Sequence, residues 1–561
     1  MGNQSVMPLS VDPGAGPRVT PLRGLAEWLV PAMVLAPTIL LPLARDQGVF
    51  AYGGQVILDG GLPYRDFIDQ KGPATHYTFA LAIVLFGATA LGVRLFFFIV
   101  MLVGSWLAAA VADRLGGIEA RLPAALAYAL VSLHAPRDAA WMSAQVEDIL
   151  LPIFLGVILL LGSTEAMGSP KKGTGPLDSQ VPSPFSGRAR QFLAGLLLGL
   201  ACLYKPTALV TAGGIATVAG WMAYRRLGVC GAVRGWRTWA WAACGFVLLP
   251  AVTLGYLAAQ PGWLTEFWAV QEFNSTYARI RDGTWLEAVG IFSTQWGKLV
   301  PLAIWGLILT RQRDSRYWQL FGVVLGTSAL VIVLQWKFPI IYQWTPLAGC
   351  LAILAGVGLG RVAHWVRAQV ADRRLASVAA TCAAAGLLLI VAPVEARSVV
   401  SMWVDGLQVA LGERSIADFR GACYCGAGVA GDQDKAVAYV RQHTGPEDTV
   451  LVWGYEPAIN FLSGRRSPSR FMVERWLSIP GIPRQREWRN EFIGALQAKP
   501  PLYVLVVNDN NRPYYVPNPV DAAAEFPAFE AFLLRHYDLE TEIAGIFFYR
   551  RLPAEVPTVQ N

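Results

Sequence analysis

Long uncharged runs separated by short polar stretches fill the first two thirds of the chain. They lie near 28–44, 95–112, 122–135, 148–161, 191–204, 206–224, 238–257, 289–310, 317–334, 344–360 and 375–393. A helix needs about 20 apolar residues to cross a bilayer, so these runs predict about eleven transmembrane helices. One further apolar segment, 75–86, is about a dozen residues long, the length of a helix lying along a membrane surface. After Pro393 the pattern shortens and alternates. Residues 432–443 predict a helix with Asp432 as N-cap. Residues 449–453, 502–507 and 543–550 predict short buried strands. Residues 488–498 and 521–536 predict helices, the second broken or begun at Pro527. The fold class expected is an α-helical polytopic membrane protein with a small α/β domain over 394–561.

Composition agrees. The chain has 561 residues, 54% hydrophobic and 15% charged, with a mean hydropathy of +0.41. Soluble domains carry about 25% charged residues. The 20 tryptophans suit a chain with many membrane–water boundaries. The net charge of +7 is carried by membrane-flanking loops, and no basic stripe interleaved with aromatics points to nucleic acid. Cys202, Cys350 and Cys382 sit in apolar runs as small core residues. Cys423 and Cys425 form a C-x-C without a partner pair, which disfavours a zinc site.

Charge bias orients the spans. With 75–86 left out of the count, one side of the membrane receives Arg18, Arg23, Arg114, Arg121, Lys171, Lys172, Arg188, Arg190, Arg225, Arg226, Arg234, Arg237, Arg311, Arg313, Arg316, Arg361, Arg367, Arg373 and Arg374. The opposite loops hold far fewer cations, so the first side is cytoplasmic. The N-terminus is then inside and the domain over 394–561 outside. Residues 1–24 read as a disordered cytoplasmic tail. The Pro/Gly/Ser-rich stretch 162–190 reads as a disordered cytoplasmic linker. The first outer loop spans 45–94, with 75–86 as its surface helix.

The chemistry concentrates on that outer face. Residues 45–73 read RDQGVFAYGGQVILDGGLPYRDFIDQKGP and crowd Asp46, Asp59, Asp66, Asp69, Arg45, Arg65 and Lys71 beside a membrane, where charge is costly. Glu147 and Asp148 open the fourth span, Lys205 lies between two apolar runs, Lys298 lies inside one, and Lys337 precedes the tenth. A charge near a membrane is most simply one that snorkels to water, and that reading suits Arg137, Arg279, Arg281 and Asp148. A carboxylate is too short to snorkel far, so Asp46 is the candidate general base. The lysines are candidates to hold a phosphate in binding and as a leaving group. Glu147 is a second carboxylate, to orient an acceptor or share a metal. Asp59 receives no role.

At these residues the chain resembles the bacterial polyprenyl-phosphate-sugar glycosyltransferases of the GT-C fold, the broad group of protein O-mannosyltransferases, aminoarabinose transferases and lipopolysaccharide-modifying enzymes of rhizobia. The resemblance covers most of the chain. It rests on the acid after the first span, a short amphipathic helix, then G-x-P-Y-x-D and K-G-P. It rests also on Glu147 in SAQVEDILL, Lys205 in GLLLGLACLYKPTAL, and the outer loop ending in Asn274 and Tyr277. In QWKFPIIYQWTPLAG relatives often carry Tyr-His where this chain has Tyr342-Gln343, which removes an imidazole. DTVLVWGYEPAINFLSG is similar to the group's outer domain. The resemblance makes 25–393 a GT-C transmembrane catalytic domain in the cytoplasmic membrane. It implies inverting transfer of a sugar from a polyprenyl-phosphate donor to an extracytoplasmic glycolipid or protein acceptor. Asp46 and Glu147 would be catalytic, with Asp46 also helping to hold a divalent cation where the subfamily uses one. Lys205, Lys71, Lys337, Lys298, Asp66 and Asp69 would serve the donor phosphate or its loop. Asn274, Tyr277, Tyr342 and Gln343 would line the pocket.

Two other classes compete. A lipid-linked sugar transporter or flippase would place ionisable groups and broken helices near the midplane, whereas here the spans are nearly free of charge and the acids gather at one face. A scaffold using the spans only as anchor would need neither so many spans nor an acid-rich first loop.

Overall fold

The structure is a computed structural model that describes residues 21–133, 143–163, 187–234, 236–280, 283–309, 315–335, 340–370, 386, 393–421, 423, 430–509 and 517–553. Most of the tail 1–24, most of the linker 162–190, most of the run 375–393, Arg137, Arg281, Cys382, Cys425 and Lys337 lie outside the described residues.

The first apolar run is not one straight helix. α1 (Pro21–Leu35) passes into a 3-10 turn over Ala36–Leu40, and α2 (Arg45–Leu58) leaves at 81°. Pro37 and Pro42 explain the break, because each lacks an N–H and crowds the preceding turn. Buried Arg94 steadies it from α4 (Ala90–Gly116), donating through Nε to the Pro42 carbonyl at 3.2 Å and through Nη1 to Ser143 Oγ at 2.8 Å. The helix expected to be amphipathic, α2, is buried along most of its length. α3 (Pro73–Phe86) covers the 75–86 segment and exposes Leu81, Val84, Leu85 and Phe86, as a helix facing lipid tails would.

The remaining runs form α5 (Arg121–Val131), α6 (Glu147–Gly162), α7 (Gly187–Tyr204), α8 (Ala208–Arg234) and α9 (Trp236–Ala258). They continue as α10 (Trp263–Tyr277), α11 (Trp285–Trp296), α12 (Leu299–Leu309), α13 (Ser315–Gln335) and α14 (Thr345–Gln369). By length and composition four helices among the described residues can cross a membrane, or five if the bent α1–α2 pair is one span. The run 289–310 is split at Gly297–Lys298, since Pro301 cannot donate back to the Gly297 carbonyl. Small residues let helices approach closely. A Cβ at Gly195 would lie 1.9 Å from the Ala242 carbonyl oxygen, and one at Gly306 2.0 Å from that of Leu354, the small-residue packing expected between membrane helices.

Past α15 (Pro393–Ala410) and α16 (Ile416–Gly421), the chain enters its α/β unit. Trp403 on α15 donates to the Met33 carbonyl at 2.7 Å, so this helix leans on α1. The sheet has the order β1-β2-β4-β3, from β1 (Val450–Trp453), β2 (Tyr503–Val507), β3 (Tyr537–Ile543) and β4 (Ile546–Arg551). β1 and β2 are parallel and buried throughout, which is why they read as continuous apolar runs. Around them pack α17 (Ala430–His443), α18 (Ala458–Ser463), α19 (Arg475–Ser478), α20 (Gln485–Ala498), α21 (Pro519–Ala524) and α22 (Pro527–His536). The helix expected over 521–536 is two, α21 and α22, and Pro527 opens the second. The expected strand 543–550 is two: Ala544 and Gly545, both at positive φ, turn the chain between β3 and β4. β3 went unforeseen because YDLETEI is mostly exposed and carries three acids in seven residues.

This unit docks on α2 and the loop after it. Ile68 N–H donates to the Arg470 carbonyl at 3.0 Å, Ser467 N–H to Tyr52 Oη at 2.8 Å, and Arg466 pairs with Asp59. Asp59, without a role from sequence, is thus a docking residue. At Gly48 a Cβ would lie 2.7 Å from Ala458 N and 2.8 Å from Ala458 Cβ. Gly48→Leu is therefore expected to destabilise the docked state by about 1–3 kcal/mol. Faster proteolysis between the bundle and the α/β unit checks this, and an unchanged digestion rate contradicts it.

Candidate active site

The two lysine motifs meet through backbone. Gly72 N–H donates to the Tyr204 carbonyl at 3.2 Å, and a Cβ at Gly72 would lie 2.0 Å from the Leu203 oxygen. Only glycine permits that contact, so K-G-P seats Lys71 against the end of α7, where Lys205 follows. Pro73 then starts α3. Lys205 Nζ donates to Glu147 Oε1 at 2.7 Å and to Gln335 Oε1 at 3.3 Å. Lys71 lies within electrostatic reach of Glu147, Lys205 and Asp69, and its ammonium stands 5.6 Å from the ring centre of Tyr342.

Asp46 and Glu147 occupy the first turns of α2 and α6. Both are buried, and a helix N-terminus favours a carboxylate there. Asp46 Oδ1 accepts from Tyr455 Oη at 2.5 Å, and Oδ2 from Gln145 Nε2 at 3.2 Å. Glu147 Oε2 is buried with no hydrogen-bond partner among the described residues. Tyr342 lies within electrostatic reach of Asp46, Glu147, Tyr455 and Tyr277, which draws the two acids into one site.

Asp148 differs from expectation. It is buried, and its Oδ2 accepts from Gln145 N–H at 3.0 Å. It caps the start of α6 instead of snorkelling to water.

Asp69 is buried and accepts from His76 Nε2 at 3.1 Å, with Arg475 Nη2 at 3.9 Å. Burial works to raise its carboxyl, but His76, Arg475 and Lys71 outweigh it and hold it below its ordinary value. Arg475 lies 4.7 Å from the Tyr455 ring centre. Burial works to lower its guanidinium, yet Tyr455, Tyr277, Asp69 and Asp46 hold it above its ordinary value, so the cation persists. Burial, opposed by Arg475 and reinforced by Asp46, keeps the Tyr455 phenol well above its ordinary value, so it remains a proton donor to Asp46.

The other residues singled out from sequence divide. Asp66 is exposed, accepts from Leu62 N–H at 2.7 Å and pairs with Arg65 at 2.8 Å, which shapes its own loop. Tyr277 stacks on Phe273 and lies within reach of Arg475. Asn274 sits half-buried one turn earlier on α10, so the outer loop ending in Asn and Tyr is a helix. Gln343 follows Tyr342 in a 3-10 turn, half-buried. Lys298 is exposed in the turn between α11 and α12, and among the described residues no ion pair joins it to Asp46 or Glu147.

Among the described residues no group of three His, Cys, Asp or Glu side chains converges to hold a metal. Both Asp46 oxygens already accept hydrogen bonds, and Glu147 Oε1 faces an ammonium. Among the described residues these two carboxylates, with Glu147 Oε2 as the one oxygen lacking a hydrogen-bond partner, are too few ligands for a divalent cation.

Tyr455, Arg475, Gln145 and His76 escaped the sequence reading. Tyr455 and Glu456 follow the carboxyl end of β1, and Asp509 follows that of β2. Sites on parallel strands commonly form at that end, so the position was a usable signal. Nothing local marks Arg475.

No protein-family model matches the chain, and no curated protein matches it. Solved structures do. ArnT from Cupriavidus metallidurans bound to undecaprenyl phosphate superposes with a TM-score of 0.58 at 15% identity, covering 95% of this chain and 99% of that one. Its apo state gives 0.54 at 14% identity over 94% and 97%. The Archaeoglobus fulgidus oligosaccharyltransferase tethered with an acceptor peptide gives 0.50 at 12% identity, over 96% of this chain and 75% of that one. The chain has the GT-C fold of these membrane glycosyltransferases, with a small sheet-bearing domain at its C-terminal end.

Proposed function

We propose that this chain transfers a sugar from a polyprenyl phosphate to a hydroxyl of an envelope glycolipid or protein, with inversion, at the outer face of the cytoplasmic membrane. The observation that carries the reading is that buried Asp46 and Glu147 both lie within electrostatic reach of Tyr342, with Lys205 and Lys71 beside Glu147 and Arg475 near Asp46. An acid that takes a proton beside cations that take a phosphate is what transfer from a sugar phosphate requires. The GT-C fold supports it, since ArnT is described bound to undecaprenyl phosphate.

The acceptor oxygen attacks the anomeric carbon from the face opposite the phosphate. The carbon–oxygen bond to phosphate breaks, and its electron pair stays on the phosphate oxygen. The acceptor proton passes to Asp46. Its two oxygens offer about four lone-pair sites, so the bonds from Tyr455 and Gln145 leave room for that proton. Lys71 and Lys205 hold the departing polyprenyl phosphate. Glu147 Oε2, buried and without a donor among the described residues, accepts from the acceptor and orients it. Tyr342 and Tyr277 wall the pocket.

The orientation has its own test. Reporter fusions after Gly168 and after Arg397 are expected to report inside and outside respectively. The reverse pattern overturns the placement of the site on the outer face. Transfer itself is tested by the Asp46→Asn comparison described in the Discussion.

A further inference from the structure

We infer that the C-terminal domain completes the reaction centre by supplying Tyr455 as a positioning residue for Asp46, with Arg475 stacked on its ring. The inference rests on the sugar-transfer reading above. It starts from a contact between residues 409 apart in sequence: Tyr455 Oη donates to Asp46 Oδ1 at 2.5 Å. Among the described residues the only other hydrogen bond to the Asp46 carboxylate comes from Gln145, at 3.2 Å. Without the Tyr455 hydroxyl the carboxylate keeps, among the described residues, the 3.2 Å bond from Gln145.

Tyr455 is itself held. Arg475 lies over its ring at 4.7 Å and Arg45 at 5.8 Å, the range of cation–π attraction. Arg45, next to Asp46 in sequence, pairs with Asp509 and stands 3.7 Å from Glu456. The residue before Asp46 and the residue after Tyr455 are therefore tied together. Arg475 also reaches Asp69 at 3.9 Å, on the loop that carries Lys71. Its Nε is buried with no hydrogen-bond partner among the described residues, so its place is set by the ring and the acids. The domain thus fixes both the base and the loop of a candidate phosphate lysine. A positioned base is productive only within a narrow geometry. A bundle whose domain has swung away keeps Asp46 but loses its aim.

The test uses the full chain purified in detergent. The donor is the polyprenyl-phosphate lipid fraction extracted from a strain lacking the gene, and the acceptor is the envelope of that strain. Tyr455→Phe keeps the ring for Arg45 and Arg475 and removes only the hydroxyl. We expect turnover to fall about tenfold, the loss typical of a hydrogen bond to a charged group, with the half-saturating amount of donor fraction unchanged. A purely structural tyrosine would instead loosen docking. Asp59→Asn, which breaks the peripheral Arg466 pair, supplies that comparison. It should speed proteolysis between bundle and domain while leaving turnover near that of the parent. Tyr455→Phe should do the opposite. Unaltered turnover in Tyr455→Phe overturns the inference, as does a loss that Asp59→Asn reproduces. Absence of transfer by the unmodified chain defeats the sugar-transfer reading, and the inference with it.

Discussion

Asp46→Asn is expected to lower sugar transfer by about a hundredfold or more, the scale of a general base, without unfolding the protein. Asparagine has the shape of aspartate. Its amide oxygen still accepts from Tyr455, and Gln145 can turn its own amide to meet the new NH2 group. The packing of the first turn of α2 is thus kept while the proton acceptor is lost. Affinity for undecaprenyl phosphate should not change, because Lys71 and Lys205 are untouched. Retained turnover in Asp46→Asn would remove Asp46 from the base role and with it the mechanism above.

Lys205 carries the second large effect, and two causes must be separated. Lys205 is mostly buried and bonded to Glu147, which is almost wholly buried. Removing one member of such a pair leaves a buried charge unpaired and costs about 3–5 kcal/mol. Lys205→Ala alone is therefore expected to destabilise the fold and to weaken undecaprenyl phosphate binding. The double variant Lys205→Met with Glu147→Gln removes both charges and restores stability, since neutral replacement of a buried pair is often harmless. It should still bind undecaprenyl phosphate about tenfold or more weakly, the loss of one charge-assisted contact. Thermal unfolding followed with lipid titration checks both parts. Affinity that recovers together with stability would make Lys205 a structural counter-ion to Glu147 and nothing more.

The sequence showed where the acids and lysines cluster because each lies in an apolar setting where charge stands out. Asp46, Glu147 and Lys205 follow or precede long uncharged runs, and the structure brings them to one end of the bundle. Their partners were less legible: the strand end before Tyr455 marks a position, but not which residue it meets. Tyr455 and Arg475 sit more than 400 residues from Asp46 in an ordinary α/β domain, where tyrosine and arginine attract no notice. Pairing across such a separation is a property of docking, which local periodicity does not encode. The same limit explains Asp59, whose partner Arg466 is equally remote. Local proline chemistry explains the split near Lys298 and the bend before Arg45: apolar runs give the length of a greasy segment but not its continuity. Asp148 resembled its neighbour Glu147 in sequence, yet one caps a helix and the other meets a lysine, a difference set by the direction each side chain takes from the first turn of α6.

The most direct test is transfer in detergent, where a membrane has no two sides. The purified chain is incubated with the polyprenyl-phosphate fraction and the unmodified envelope of the gene-deleted strain, and the products are weighed by mass spectrometry. One sugar mass is expected on an envelope component together with released polyprenyl phosphate, and Asp46→Asn is expected to yield neither. An envelope modification that is lost on deletion in cells, yet never formed by the purified chain in detergent, would contradict the sugar-transfer reading and mark the protein as a carrier of the lipid-linked sugar.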